Sequence, residues 1–243
     1  PELPNPQSGK VRESYDLPDG RRVMIATDRQ SAFDLVLAAV PLKGQVLNQT
    51  AMFWFEKTKD ICPNHVIEAP DPNVIIARPL DMLPVEMVVR DYMTGSTETS
   101  IWPMYERGER VLYGHSFPDG LVKNQKLPGT ILTPTTKAEQ GHDEPLTRAQ
   151  LSRMVGQSLA KELEEKTLTL YQFASEYALS KGIIIADTKM EFGIVDEKLL
   201  LIDELLTPDS SRFWDAAGHE PGRSQPNFDK QFVRDWLVES GWN

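Results

Sequence analysis

The spacing of apolar and polar residues changes character along the chain. The first third reads as β structure. Lys10 to Leu17 and Arg21 to Thr27 are strand-like runs joined by the turn residues Pro18-Asp19-Gly20, which predicts a hairpin. Asn48 to Lys59, carrying Trp54 and Phe55, predicts a helix, and Val74 to Ala77 and Val85 to Arg90 predict two further strands. Thr94 to Pro145 is punctuated by Gly and Pro and is too long for a bare loop, so short elements or a function are expected within it. Thr147 with Gln150 then forms a capping box. Leu159, Leu163, Leu170, Phe173 and Tyr177 follow at helical spacing, with Gly182 placed to end the helix. Ile183 to Ala186 is a short apolar strand. Thr188 to Val195 and Lys198 to Ile202 predict a second hairpin, and a last helix is expected from about Asp229 to Ser240. Strands early and helices late predict an α+β fold, with a β-rich lobe over residues 1–84 and a larger α+β lobe over 85–243.

The length of 243 residues suits two lobes. No run approaches the ~18 apolar residues of a membrane span, and Pro1 to Gly9 lacks a signal-peptide core, so a cytoplasmic protein is expected. The formal charge of −10 argues against nucleic acid as a partner. An acidic chain that handles anionic metabolites must gather its lysines and arginines locally. The single cysteine, Cys62, permits no internal disulfide, and the four histidines show no metal-ligand spacing.

The most informative segment is Asp187-Thr188-Lys189-Met190-Glu191. Alternation in a strand puts Asp187, Lys189 and Glu191 on one face. If Asp196-Glu197-Lys198 is the connection of the hairpin, Glu191 lies opposite Asp203, and two opposed carboxylates repel. A divalent cation would reverse that cost, and Mg²⁺ accepts few protein oxygens when phosphates supply the rest. Glu191 and Asp203 are therefore the expected metal ligands, with Lys189 beside them as a phosphate partner. Gly9-Lys10-Val11-Arg12 sets Lys10 and Arg12 on one strand face, a way to cover phosphates in a chain with no GxxxxGK[ST] or GxGxxG loop. Arg90 with Thr94-Gly95-Ser96 offers an anion fork and a hydroxyl. Lys137 and His142-Asp143 sit in the long central stretch, and a turn just past Asp203 is expected to bring Arg212 toward the metal.

Together these stretches resemble the SAICAR synthetase (phosphoribosylaminoimidazole-succinocarboxamide synthase) family. The matching segments are GKVRESYDL (9–17), TDRQSAFD (27–34), VVRDYMTGS (88–96), LTPTTKAEQGHD (132–143), IIADTKMEFG (184–193), DELLTPDSSRFW (203–214) and FDKQFVRDWL (228–237). The resemblance implies a two-lobed α+β fold, kinase-like in layout. It implies a ligase of purine biosynthesis that uses ATP and Mg²⁺ to join L-aspartate to carboxyaminoimidazole ribonucleotide (CAIR) through an acyl phosphate. By matching position, Lys10, Arg12 and Lys189 hold ATP, Glu191 and Asp203 hold the metal, and Lys189, Asp187 and Arg212 serve catalysis. Arg90, Ser96, Lys137, Asp209, Arg212, Lys230 and Arg234 hold substrate, and a homo-oligomer is allowed. Arg12-Glu13-Ser14 departs from the family's common Arg-Asp-Ile. Longer members continue past the position of Ser240-Gly241-Trp242-Asn243 with a Pro-rich linker and a helix. From the residues alone, a small-molecule kinase or a nucleotide-binding regulatory module would carry the same ATP features.

Overall fold

The computed structural model describes residues 3–4, 6–32, 35–137 and 143–242, so His142 lies outside the described residues. The chain opens with β1 (Pro6–Ser8), β2 (Arg12–Asp16), β3 (Arg22–Ala26), β4 (Arg29–Ala32), β5 (Leu35–Ala39), α1 (Lys43–Thr58), β6 (Val66–Asp71) and β7 (Val74–Ala77). It continues with β8 (Asp81–Tyr92), α2 (Ile101–Glu106), β9 (Val111–Leu112), β10 (His115–Ser116), β11 (Lys126–Leu132) and β12 (Thr135–Thr136). It closes with α3 (Arg148–Val155), α4 (Gln157–Leu179), β13 (Ile183–Val195), β14 (Lys198–Ile202), β15 (Ser211–Asp215) and α5 (Gln231–Glu239). No helix among the described residues is long and apolar enough to cross a membrane.

Two compact units emerge. The first takes residues 1–82, 192–209 and 230–243, and the second takes 83–191 and 210–229. The chain then returns twice, so that the segment after Glu191 and the last helix join the N-terminal unit.

In the first unit, antiparallel strands run in the order β1-β2-β3-β7-β6. The hairpin read from the sequence is β2–β3, in register from Arg12↔Ala26 to Asp16↔Arg22. Helix α1 buries Leu47, Ala51, Trp54 and Phe55, spaced by three and four residues, so one stripe faces inward. Its N-terminus lacks a local cap. Instead Asp28 accepts hydrogen bonds from the backbone N–H groups of Leu42 (3.1 Å) and Gly44 (3.0 Å). A side chain on Gly44 would collide with the Ala26 carbonyl, so glycine is what allows the helix to approach β3.

The β13–β14 connection corrects the sequence-based register. The turn is the two residues Asp196 and Glu197, both at positive φ (49° and 60°), the geometry of a type I′ hairpin. The sequence-based register takes three residues, Asp196-Glu197-Lys198, as the turn. Losing one turn residue moves every cross-strand pair by one and exchanges the faces, so strand register does not set Glu191 opposite Asp203. Asp203 lies past the end of β14 with φ 61°, in a loop anchored by the buried Leu205 and Leu206.

In the second unit, β11-β8-β13 form the centre of a sheet, with β12 also pairing β8 and β15 pairing β13. The predicted single helix after Thr147 is broken at Gly156 (φ 89°, ψ 150°), a conformation outside the helical region that glycine adopts at little cost. The capping box of Thr147 and Gln150 is present. Helix α4 buries Ala160, Leu163, Thr167, Leu170, Tyr171, Ala174 and Ala178, each large apolar side chain contributing roughly 1.5–3 kcal/mol. Phe173, assigned to that stripe by spacing, is exposed instead. The Tyr171 hydroxyl donates to the Ile185 carbonyl at 2.6 Å and so ties α4 to the strand that carries the charged residues. The long central stretch holds α2 and β9 to β12, packed on a cluster of Met93, Ile101, Tyr105, Leu112, Tyr113 and Leu127.

Candidate active site

Strand β13 is apolar where it is covered by α4, at Ile184 to Ala186, and turns charged on one face at Asp187, Lys189 and Glu191. Buried charges must be paired, and each of these three is. Asp187 is 3 % exposed. Its Oδ2 receives Nη1 of Arg90 from β8 and Nη1 of Arg212 from β15, the latter at 2.7 Å. Arg212 stands directly across from Asp187 in the β13–β15 register, next to a bulge between Ile185 and Asp187. Its Nη2 also reaches the Ser96 hydroxyl (3.3 Å), and Arg90 Nε donates to Thr133 Oγ1 (3.0 Å). Burial pushes the Arg90 guanidinium below its usual range, against the pull of Asp187.

Two residues along the same face, Lys189 donates to Glu86 Oε1 (2.6 Å) and Glu191 Oε1 (2.8 Å). The other Glu191 oxygen is taken by the Lys137 ammonium. Burial alone would raise the Glu191 carboxyl, but Lys189 and then Lys137 outweigh it and hold it at about 2. Burial works against charge on Lys189 too, yet Glu191 and Glu86 keep its pKa above the usual lysine range. Glu86 moves up, chiefly through burial, with Lys189 opposing. Each charge on this face thus has an opposite charge against it.

The first unit holds the other candidates. Gly9 to Val11 link β1 to β2, so Lys10 sits in an exposed bend before the strand rather than on a strand face with Arg12. Arg12 pairs with Asp203 and, at 3.2 Å, with Glu204. Arg12 and Asp203 line a small pocket whose other walls include Met24, Met52, Phe55 and Ile75. Asp209 is gripped by Lys43 (2.8 Å) and approached by Lys230 (4.0 Å). Lys230 is pushed below the usual lysine range, first by burial; Asp209 opposes this, while Arg234 and Lys43 add repulsion.

A model of the SAICAR synthetase family matches residues 5–243. The chain belongs to that family. It is 49% identical over 253 residues to the phosphoribosylaminoimidazole-succinocarboxamide synthase of Chromobacterium violaceum, covering 97% of this chain and 87% of that protein. The fold agrees. A SAICAR synthase from Saccharomyces cerevisiae, complexed with SAICAR, matches with TM-score 0.86 and 36% identity over 98% of this chain and 84% of that one. A type-2 SAICAR synthetase in complex with ADP matches with TM-score 0.77 and 26% identity over 97% and 94%.

Within the units, the structure joins Arg90, Ser96, Asp187 and Arg212 in one cluster and Lys137, Lys189 and Glu191 in another. It joins Arg12 to Asp203, and Asp209 to Lys230 with Arg234 nearby. Arg212 comes from strand β15 rather than from the turn before it, and meets Asp187. Glu86, Arg29, Lys43, Thr133 and Glu204 are site neighbours that the sequence pattern does not single out. Glu86 had a usable signal, since it shares the face of Arg90 on a strand otherwise rich in apolar residues. The others are brought in by tertiary folding alone.

Proposed function

We propose that this chain catalyses the ATP-dependent ligation of CAIR and L-aspartate to SAICAR, ADP and phosphate. The observation that carries the reading is the row Asp187, Lys189 and Glu191 on β13, ion-paired with Arg90, Arg212, Glu86 and Lys137. A carboxylate resists amine attack, so it must first be activated. An oxygen of the CAIR carboxylate attacks the γ-phosphorus, and the bond to ADP breaks. The aspartate amine then attacks the acyl carbon; the C–N bond forms, phosphate leaves and the amine loses a proton. The protein's task is to orient three anions and stabilise the charge that moves between them.

Lys10, Arg12 and Lys189 are assigned to the ATP phosphates. Arg90, Ser96 and Arg212 are assigned to the ribonucleotide, with Asp187 orienting both arginines. Lys230 and Arg234 are assigned to its phosphate, and Lys137 and Asp209 to the substrates' polar groups. Glu191 and Asp203 are assigned to Mg²⁺. Their chemistry fits a hard cation, because Glu191 stays ionised down to about pH 2. Among the described residues no three His, Cys, Asp or Glu side chains gather as a metal site, so water and phosphate oxygens would complete the shell. Bound Mg²⁺ would neutralise phosphate charge during transfer. The reading places the reaction in the cytoplasm and needs neither nucleic acid nor a membrane. The two-lobe division of the chain, with an ATP-covering N-terminal lobe, belongs to the same proposal.

The test is the dependence of ADP release on each substrate. Release should require CAIR and L-aspartate together, and Asp203→Asn should raise the magnesium needed for half-maximal rate. Rapid ADP release with CAIR alone would favour a small-molecule kinase and overturn the ligase.

A further inference from the structure

Arg29 opens β4 and points its side chain back under the link between β1 and β2. Its Nη2 donates to the carbonyl oxygens of Gly9 (2.8 Å) and Arg12 (3.4 Å), its Nε to that of Lys10 (2.9 Å), and its Nη1 pairs with Glu13 at 2.5 Å. Thr27 completes the set, since both its N–H (2.9 Å) and its hydroxyl (2.8 Å) donate to the Val11 carbonyl. Every carbonyl from Gly9 to Arg12 is therefore drawn inward by a named donor. The Gly9 N–H closes the bend onto the Arg12 carbonyl at 2.8 Å.

The peptide bonds here are trans, so the N–H of each unit points opposite to its carbonyl. Two successive carbonyls, of Gly9 and Lys10, face one guanidinium. The N–H groups of Lys10 and Val11 consequently face the other way, and both dipoles present their positive ends there. Successive N–H groups turned to one side make a concavity that suits an anion. A strand would alternate them, so this orientation depends on what holds the carbonyls. Only a planar fork with several donors spans three carbonyls and a carboxylate.

We propose that Arg29 is a positioning residue that shapes the Gly9–Arg12 bend into an anion-binding surface for the phosphates of ATP. The inference rests on the assignment of Lys10 and Arg12 to ATP made above. Arg29 itself touches no substrate in this role; it acts through the backbone of the bend.

The experiment measures KM for ATP, aspartate and CAIR, with kcat and Tm, in Arg29→Met, Arg29→Lys, Glu13→Gln and Lys10→Ala. Arg29→Met should raise KM for ATP about tenfold and leave the other two KM values within about twofold. Arg29→Lys should recover less than half of that loss on a logarithmic scale, because an ammonium keeps the charge but not the fork. Glu13→Gln should reproduce the effect weakly. Full recovery in Arg29→Lys would reduce Arg29 to a charge and overturn the proposal. So would an unchanged KM for ATP in Arg29→Met, or a parallel rise of all three KM values with a lowered Tm. Lys10→Ala separates the layers. If it leaves KM for ATP unchanged, the assignment of the bend to ATP fails; if it raises KM while Arg29→Met does not, only the role of Arg29 fails.

Discussion

Asp187→Asn removes one charge from a group that balances two. Arg90 and Arg212 both bond the same carboxylate oxygen, and the three side chains are 7%, 15% and 4% exposed for Arg90, Arg212 and Asp187. Asparagine keeps the shape but leaves two guanidinium groups facing each other with no anion between them. Removing one partner of a buried pair costs about 3–5 kcal/mol, and repulsion between the arginines places this case toward the upper end. That is a large part of the roughly 5–15 kcal/mol that holds a protein folded. For a chain of this size it corresponds to a fall in Tm of about 6–20 °C. Urea is the denaturant of choice, because it leaves the ion pairs unscreened. The loss should change little between low and high salt, since buried pairs are poorly screened. Asp187→Leu combined with Arg90→Met removes the carboxylate together with the more buried of its two arginines, leaving only Arg212, 15% exposed, without the Asp187 carboxylate, and should be more stable than Asp187→Asn while remaining inactive. A loss below about 1 kcal/mol in Asp187→Asn would show that uncompensated charge is not what makes the substitution costly, and would refute the reasoning.

Two further perturbations probe the first unit. His65 is 4% exposed, its pKa is held at about 4 by burial and then by Arg12, and its Nε2 has no hydrogen-bond partner. The unfolded chain takes up this proton near pH 6.5 and the folded chain resists it until about 4. Stability should therefore fall by about 1.4 kcal/mol per pH unit across that window as the pH drops. Glu191, lowered to about 2, extends the loss below pH 4.5. His65→Leu should flatten the slope by one proton in urea titrations run between pH 7 and 5. Gly44→Ala puts a methyl group against the Ala26 carbonyl, 2.8 Å from its carbon, and should cost about 1–3 kcal/mol in thermal unfolding by forcing α1 off β3.

Legibility in the sequence followed the range of the interactions. The β2–β3 hairpin and the Thr147 capping box are set by neighbours in the chain, and both are present. The face shared by Asp187, Lys189 and Glu191 follows from alternation alone. The β13–β14 register failed because it hung on one turn residue. Asp196 and Glu197 lack the glycine that usually marks a type I′ turn, so nothing local announced it. Phe173 went to the wrong face because helical spacing fixes the period, whereas the direction of the buried stripe is set by what α4 packs against. Arg29 and Lys43 were invisible for a related reason. Their partners are Gly9, Lys10 and Asp209, and only the folded chain brings those near.

The lysines of the site differ in a way that sorts their ligands. Lys189 has a carboxylate on two sides, Glu86 and Glu191, and its pKa moves up. That neighbourhood sets three carboxylates, Glu86, Glu191 and the more distant Asp143, against the two ammoniums of Lys189 and Lys137. A bare polyphosphate would be repelled there, while a phosphate accompanied by a divalent cation would be welcome. Lys230 has the opposite balance. Asp209 and, more weakly, Glu204 stand against Lys43, Lys230 and the charge of Arg234, and the pKa of Lys230 moves down, first by burial. That cluster has positive charge to spare and suits an anion that brings no cation with it. An acidic protein can thus hold several anions at once, by distributing local imbalances of either sign along its strands and its last helix.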